Sequence, residues 1–165
     1  MTKHTLSVLV ENKAGVLARV SSLLARRGFN IHSLAVGPTA DEEISRMTIV
    51  VDAPELEQVK KQLHKLVNVV KIMELEPATS VEREIALIRV STERQKRSDV
   101  LEVATLFDAI AVDVGVNTIM FMVAGAPDKV NDFVELVRPY GIVDLVKSGR
   151  VALSRDQKSH KLRAS

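Results

Sequence analysis

The composition of this chain of 165 residues excludes several classes of protein. Hydrophobic residues make up 46% of it, so most of the chain can fold around a core. Cysteine is absent, which rules out disulfides, thiolate metal sites and cysteine catalysis. Aromatic residues are only 3%, which argues against binding of single-stranded nucleic acid by base stacking. The sequence shows neither a signal-peptide pattern nor an apolar run near the roughly 20 residues of a membrane span, so we expect a cytoplasmic protein.

The net charge of +2 is concentrated at the C-terminal end of the chain. Residues 1–153 carry 19 basic and 20 acidic side chains, whereas residues 154–165 carry four basic side chains and one acidic. The body of the protein is therefore nearly neutral. We interpret residues 156–165 as a solvated basic tail rather than an arm that binds nucleic acid. The sequence predicts no nucleic-acid partner and no membrane partner.

The first half of the chain alternates between strand-like and helix-like patterns. Leu6, Val8 and Val10 alternate with other residues, which predicts a strand. Apolar residues then recur at helical spacing from residue 16, and Gly28 follows two arginines at the end of that helix. Pro54 opens a second helix. Four strands are predicted around these helices, at 5–10, 31–36, 47–51 and 69–75. The order βαββαβ is that of the ferredoxin-like fold.

The second half repeats this order after a predicted linker at residues 77–83. Ile85 and Leu87 are expected on one side of its first strand, and Ala86, Ile88 and Val90 on the other. Strands are predicted at 85–91, 112–115, 118–123 and 142–147, and helices at 98–110 and from residue 127. We therefore predict an α+β protein of two tandem ferredoxin-like βαββαβ domains, at residues 1–76 and 84–155. Apolar residues on both sides of strands 6–10 and 48–51 indicate burial on both faces, and hence an oligomer.

The strand-to-helix turn at residues 12–17 is the strongest candidate for a binding site. The first N–H groups of a helix have no partner within it, and the helix dipole favours negative charge there, so the turn can hold a small carboxylate. Val16 and Leu17 carry the first of these N–H groups. Gly15 allows a close approach of the backbone, or is simply a turn glycine with positive φ.

Two asparagines can add specific polar contacts. The amide of Asn12 can bind an ammonium or a carboxylate, although it could equally bond only its own backbone. Asn30, before the second predicted strand, has the same two interpretations. Other polar groups give weaker signals: the four histidines show no metal-ligand spacing, residues 41–43 are interpreted as a solvated acidic loop, and residues 94–97 as a solvated basic run. Since no nucleophile–base pair or P-loop is present, the sequence predicts binding rather than catalysis.

The stretch ENKAGVLARVSSLLARRGFNIHSLAVGPTADEEISRMTIVV resembles the N-terminal ACT domain of the small, regulatory subunit of acetohydroxyacid synthase (acetolactate synthase). The resemblance continues through QLHKLVNVVKI and VEREIALIRV to VALSR, and so extends from about Lys3 to Arg155. The NxxGxL turn marks ACT domains in general. RGFNIxSL, SRMTI, QLHKL and VEREI together are far more specific to this subunit.

The resemblance implies a four-stranded ACT domain, a ferredoxin-like C-terminal domain and a homodimer formed through the ACT domains. It also implies that a branched-chain amino acid, usually valine, binds between the protomers. Carried over residue by residue, the effector site comprises Asn12, Ala14, Gly15, Val16 and Leu17 of one protomer with Asn30 and Ile31 of its neighbour. The chain would bind the large catalytic subunit, raise its activity and make it sensitive to valine. It would carry no catalytic residue, metal or cofactor, because thiamine diphosphate, magnesium and FAD belong to the catalytic subunit.

Two other functions stay open on the residues alone. One is a separate amino-acid sensor, such as a transcriptional regulator, but the chain has no helix-turn-helix segment outside the two predicted domains. The other is a small enzyme on a ferredoxin-like scaffold, which would need a convergent nucleophile or acid–base set that the sequence lacks.

Overall fold

The computed structural model describes residues 3–93 and 96–156. The chain divides into two compact units: Met1–Val81 together with the chain from Arg150 onward, and Glu82–Gly149. In chain order, the first unit contains β1 (Lys3–Glu11), α1 (Val16–Arg26), β2 (Asn30–Pro38), β3 (Ile44–Asp52), α2 (Leu56–His64) and β4 (Val69–Leu75). Its four strands form an antiparallel sheet in the order β2-β3-β1-β4. This is the predicted βαββαβ arrangement, which is confirmed.

Both helices of the first unit pack on the same face of its sheet. Alternate residues of β1, such as Leu6 and Val8, are fully buried against residues at helical spacing in α1, such as Val20 and Leu24. The buried residues of α2, among them Leu63, belong to the same core. The amphipathic period of each element therefore determines which face meets the core.

The other face of this sheet is also buried at its centre. Ser7, Thr48 and Val50 face away from the helices, yet each is at most 3% exposed. The predicted burial of both faces is therefore present in a single chain. The oligomer inferred from this pattern stays a prediction.

The second unit repeats the architecture with its own core. Its elements are β5 (Ser80–Ser91), α3 (Arg97–Leu106), β6 (Ile110–Val114), β7 (Thr118–Gly125), α4 (Pro127–Val137) and β8 (Ile142–Lys147), in a sheet of order β6-β7-β5-β8. A 3₁₀ turn at Arg138–Tyr140 precedes β8. The Phe121 and Phe133 rings meet edge to face, with centroids 6.1 Å apart, between sheet and helices.

Two boundaries differ clearly from those predicted. Helix α3 ends at Leu106 instead of residue 110, because Asp108 adopts a φ of 52° and Ala109 N–H closes the helix on Ala104 O. This is a Schellman-type helix end with aspartate in the place usually taken by glycine. The sequence therefore lacks the glycine that usually indicates such an end. Strand β5 begins at Ser80, inside the predicted linker 77–83.

The end of the described chain forms β9 (Val151–Ser154), which pairs with β5. Arg155 N–H donates to Thr79 O at 2.7 Å and the Arg155 side chain to Ser80 O at 3.2 Å. The domain limits at residues 76 and 84 stay a prediction. The predicted basic tail lies outside the described residues from position 157. The longest described helices, α1 and α4, have 11 residues, and none of the described helices is long and apolar enough to cross a membrane.

Candidate functional site

The turn between β1 and α1 exposes a set of unused N–H groups. Gly15 precedes the helix with a φ of 84°, and no side chain caps the helix start. The Val16 N–H is paired, at 3.4 Å, with Lys13 O, so it is less available than predicted. Four other backbone N–H groups of the turn make no hydrogen bond within the part of the chain that the structure describes: those of Ala14, Gly15, Leu17 and Ala18. These are the donors that a carboxylate at a helix start would use.

Helix α1 also differs from the other helices in charge at its start. Its first turn contains no acidic residue, whereas α2, α3 and α4 carry Glu57, Asp99 and Asp128 in theirs. An acidic side chain at a helix start partly neutralises the positive end of the dipole, although none of these three caps its helix with a hydrogen bond. The start of α1 thus retains its capacity for an external anion.

Asn12 is held by the loop between β2 and β3. Its backbone N–H donates to Glu43 O at 2.7 Å, and its side-chain Nδ2 donates to Glu42 O at 3.0 Å. Asn12 therefore bonds the backbone of the β2–β3 loop rather than that of its own turn, and its contact with a ligand stays a prediction. This bond uses one of the two Nδ2 hydrogens, so the second N–H and the Oδ1 acceptor are left for a ligand, and the oxygen acceptor suits an ammonium.

The acidic loop was interpreted from the sequence as solvated, and its side chains are exposed. Its carbonyl groups nevertheless hold Asn12. The loop is itself ordered by Thr39 and Asp41: Asp41 N–H donates to Thr39 Oγ1 at 3.1 Å, and Glu43 N–H donates to Asp41 Oδ1 at 2.9 Å. A backbone contact between positions about 30 residues apart leaves no local signal in sequence.

A polar network supports the turn from its other side. Asn68 accepts from Arg19 at 2.8 Å and donates to Glu11 at 3.3 Å, and the ammonium of Lys13 lies 2.5 Å from the Glu11 carboxylate. Hydrogen bonds from Lys13 and then Asn68 lower the pKa of Glu11, and the bond to Glu11 raises the pKa of Lys13. Sequence reasoning singled out none of these four residues for the site.

The remaining predicted residues, Asn30 and Ile31, lie at the opposite end of the sheet. Asn30 pairs with Asp52, which pairs with Lys3 at the start of β1. Pro38, at the other end of β2, pairs with Ser45, which lies beside Val10. The seven residue steps from position 45 to position 52 of β3 span about 23 Å. One chain therefore does not bring Asn30 to the turn.

The weaker candidates acquire ordinary surface contacts. His4 lies 3.2 Å from Glu74 and His32 lies 3.9 Å from Asp52, while His64 is exposed. Arg97 donates to the carbonyls of residues 115 and 116, whereas residues 94, 95 and 160 lie outside the described residues. In the described ranges 3–93 and 96–156, no three histidine, aspartate or glutamate side chains are grouped to hold a metal ion.

Comparison with known proteins agrees with this architecture in both units. Residues 6–71 match the family model described as the AHAS small subunit-like ACT domain, and residues 83–156 match the one described as the small subunit of acetolactate synthase. The chain belongs to the acetolactate synthase small-subunit family. Its first unit is accordingly an ACT domain, and the chain is a regulatory small subunit rather than a catalytic one.

Relatives are similar over nearly their whole length. The acetolactate synthase small subunit of Mycolicibacterium smegmatis is 52% identical over 92% of this chain and 91% of its own. A probable acetolactate synthase small subunit of Archaeoglobus fulgidus is 49% identical over 94% of this chain and 99% of its own. The crystal structure of the Thermotoga maritima acetolactate synthase small subunit superposes with a TM-score of 0.87 at 35% identity, covering 95% of this chain and 99% of that one.

Proposed function

We propose that this chain senses valine, or a similar branched-chain amino acid, and adjusts the activity of a catalytic acetolactate synthase subunit. Family membership supports the regulatory role. The uncapped start of α1 supports the recognition of a carboxylate, since N–H groups there are unused and no acidic residue competes for them. The Oδ1 atom of Asn12 supplies an acceptor for the ammonium of the same ligand.

The position of Asn30 carries the proposal that the site is shared by two copies. Strand β2 is an edge of the ACT sheet, and its outer side pairs with no strand of the described chain. If two β2 strands pair antiparallel about a two-fold axis, the start of one lies beside the end of the other. The partner's Asn30 then lies at the end of the sheet that carries Asn12. Asn30 and Ile31 contribute from the second protomer, and the effector links the two chains.

An effector in this position can regulate the enzyme by shifting a population. It favours whichever arrangement of the ACT dimer binds it better, and a catalytic subunit that senses the arrangement responds. A coupling free energy of about 1–3 kcal/mol gives a 5- to 150-fold change in affinity. An apolar pocket separates side chains that differ by one methylene by only about 1–3 kcal/mol, so leucine and isoleucine should compete with valine.

Complementation between two defective chains tests the shared site. Gly15→Asp blocks the turn with a carboxylate and Asn30→Ala removes the partner contribution, so each variant alone should lose valine binding. When the two are refolded together, each mixed dimer contains one site with an intact turn and an intact Asn30. Calorimetric titration should then recover about one valine per mixed dimer. A site built within one chain would recover none, and that result would refute the shared site.

The regulatory role is tested with the catalytic subunit added. The wild-type chain should raise acetolactate formation from pyruvate and make it sensitive to valine, whereas Gly15→Asp should raise the activity without the sensitivity. Because the wild-type chain and Gly15→Asp are assayed in the same complex with the catalytic subunit, loss of regulation is separated from loss of assembly. Activity of the small subunit alone on pyruvate would contradict the regulatory assignment.

A further inference from the structure

The outer edge of the second unit's sheet is a strand with nothing paired to it in the described chain. Strand β6 ends the sheet on one side, and all five of its residues are exposed. The N–H of Gly115 donates to Thr118 O at 2.8 Å. Pairs that exchange hydrogen bonds alternate with pairs that exchange none along an antiparallel ladder, so the next pair, Val114 with Ile119, makes none. The N–H and C=O of Val114 therefore point outward, where an added strand would bind them.

Apolar side chains follow this edge. Val112, Val114 and Val116 are 50%, 61% and 87% exposed. Val114 is opposite the buried Ile119, so its side chain lies on the helix side of the sheet. Single exposed apolar residues need no explanation, but this row lies along unpaired backbone. Backbone donors and acceptors beside apolar side chains are the two features that a β-strand ligand uses.

Helix α3 extends this apolar surface. Arg97, in its first turn, donates to the carbonyls of Gly115 and Val116 at 3.0 and 3.3 Å, so this flank of α3 lies beside the end of β6. Leu101 lies one turn further along the same flank and is 41% exposed. We call the outer side of β6, together with Leu101, Val112, Val114 and Val116, the edge strip.

The composition of β6 differs from that of other sheet edges in this chain. An unpaired edge usually carries charged side chains, above all lysine, that discourage the addition of further strands. Strands β4 and β8 each carry a lysine and an acidic residue: Lys71 with Glu74, and Lys147 with Asp144. The one charged residue of β6 is Asp113, and Arg89 lies 3.1 Å from it. The composition of β6 is thus typical of a strand that another chain covers.

We propose that an extended segment of the catalytic acetolactate synthase subunit binds the edge strip as an added β-strand. The inference rests on the proposed function, since it names the surface through which this chain contacts that subunit. Backbone groups of the segment pair with Val114, and one of its apolar side chains packs against Leu101 and Val114. Arg97 donates to carbonyls and, within the described chain, forms no ion pair with a carboxylate, so an acidic residue of the segment complements that end.

The shape of β6 argues against a second copy of this chain as the occupant. A two-fold axis that pairs β6 with itself about its centre passes through the middle residue of the strand, Val112. Val112 is the extra residue of a β-bulge between Ala111 and Asp113, where the ladder is interrupted. Symmetric pairing about that residue is therefore disfavoured, whereas a different chain can pair with the regular half that contains Val114.

Proline at position 114 tests the added strand directly. Val114→Pro removes the outward N–H but no hydrogen bond to β7. Val114→Thr is the matched control, because it keeps the N–H and the branched shape of the side chain. In calorimetric titration of each full chain with the catalytic subunit, Val114→Pro should bind about tenfold more weakly than wild type, and Val114→Thr less than about threefold. Equal affinity of Val114→Pro and wild type overturns the proposal, and so does an equal loss in both variants.

A second pair of variants tests the contribution of α3. Leu101→Glu places a charge in the edge strip. Leu106 is the control on the same helix, because it is 76% exposed but lies about 140° around the helix from Leu101. Leu101→Glu should bind the catalytic subunit about tenfold more weakly, and Leu106→Glu should bind like wild type. Equal effects of the two substitutions overturn the assignment of this flank.

Hydrogen exchange of the wild-type chain gives an independent answer that needs no variant to fold. The amides of β6 should exchange more slowly in the complex with the catalytic subunit, and unchanged exchange overturns the proposal. Sedimentation of the small subunit alone should give the same mass for wild type and Val114→Pro. A lower mass for the variant would assign the edge strip to a second copy instead and overturn the proposal.

The edge strip and the effector site fail separately in these experiments. The rise in melting temperature with valine should persist in Leu101→Glu, because the proposed effector site lies on the ACT domain. If the wild-type chain binds the catalytic subunit and Val114→Pro binds equally well, only the edge strip is overturned. If the wild-type chain itself does not bind the catalytic subunit, the proposed function is contradicted together with this inference.

Discussion

Replacing Gly15 with aspartate places a carboxylate where the effector's carboxylate is proposed to bind. Gly15 has a φ of 84°, and a Cβ built on it meets no atom within 4 Å. The substitution therefore causes no clash, and its structural effect is the left-handed backbone, which costs about 1–2 kcal/mol for a residue with a side chain and less for aspartate. In a protein of this size that lowers the melting temperature by about 2–8 °C.

Gly28 is a matched control at the other end of the same helix. It has a φ of 73° and equally open surroundings. Gly28→Asp introduces the same strain and the same charge, but its carboxylate lies at the negative end of the helix dipole. The dipole term of about 0.3–1 kcal/mol is favourable at the helix start and unfavourable at its end, so Gly28→Asp should be the less stable variant.

The assay compares melting temperatures with and without valine. A ligand at 100 times its dissociation constant stabilises the folded state by about 2.7 kcal/mol, which corresponds to a rise of about 5–11 °C. Gly15→Asp should lose this rise and Gly28→Asp should retain it, although Gly28→Asp melts at the lower temperature. Retention of the full rise by Gly15→Asp would refute the assignment of the turn. Loss of it by both would show that the response follows stability, not the site.

Three further outcomes follow from the structure. Asn12→Ala should weaken valine binding, measured by calorimetry, at least tenfold. Leu17→Ala should change it less than threefold, because only the backbone of Leu17 is proposed to contact the ligand. Equal losses of affinity in the two variants would contradict these roles. Leu24→Ala should lower the free energy of unfolding, measured in urea, by about 2–5 kcal/mol, since Leu24 is 1% exposed in the ACT core. The control Leu17→Ala should lower it by at most about 0.5 kcal/mol, because Leu17 is exposed. The lowered pKa of Glu11 means that its bonds to Lys13 and Asn68 stabilise the folded state above its ordinary pKa of 4.5 and are lost as the pH falls below it. The melting temperatures of wild type and Glu11→Gln should therefore converge as the pH is lowered from above 4.5 to below the lowered pKa of Glu11, and a constant difference would show that the ionised carboxylate is not the cause.

Local patterns in the sequence were sufficient for most of the architecture. The alternation of Leu6, Val8 and Val10 and the helical spacing that ends at Gly28 each depend on residues a few positions apart, so the elements and their inward faces were predictable. Motifs spread along the chain pointed to the family, and the turn from Asn12 to Leu17 was recognisable because its strand, glycine and helix are contiguous. The end of α3 was missed because Asp108 adopts a backbone conformation that usually signals glycine.

The parts that only the tertiary structure decided depend on residues far apart in the chain. The carbonyls of Glu42 and Glu43 that hold Asn12, and the contact of Asn68 with Arg19, involve backbone and side-chain groups 30 or more positions away. Strand direction places Asn30 at the far end of the ACT sheet, so the turn and Asn30 are separate within one chain. The two sheets also differ in a way no periodicity distinguishes. Both have apolar residues facing away from their helices, but only the tertiary structure determines that Val50 is buried while Leu87 and Val146 stay exposed.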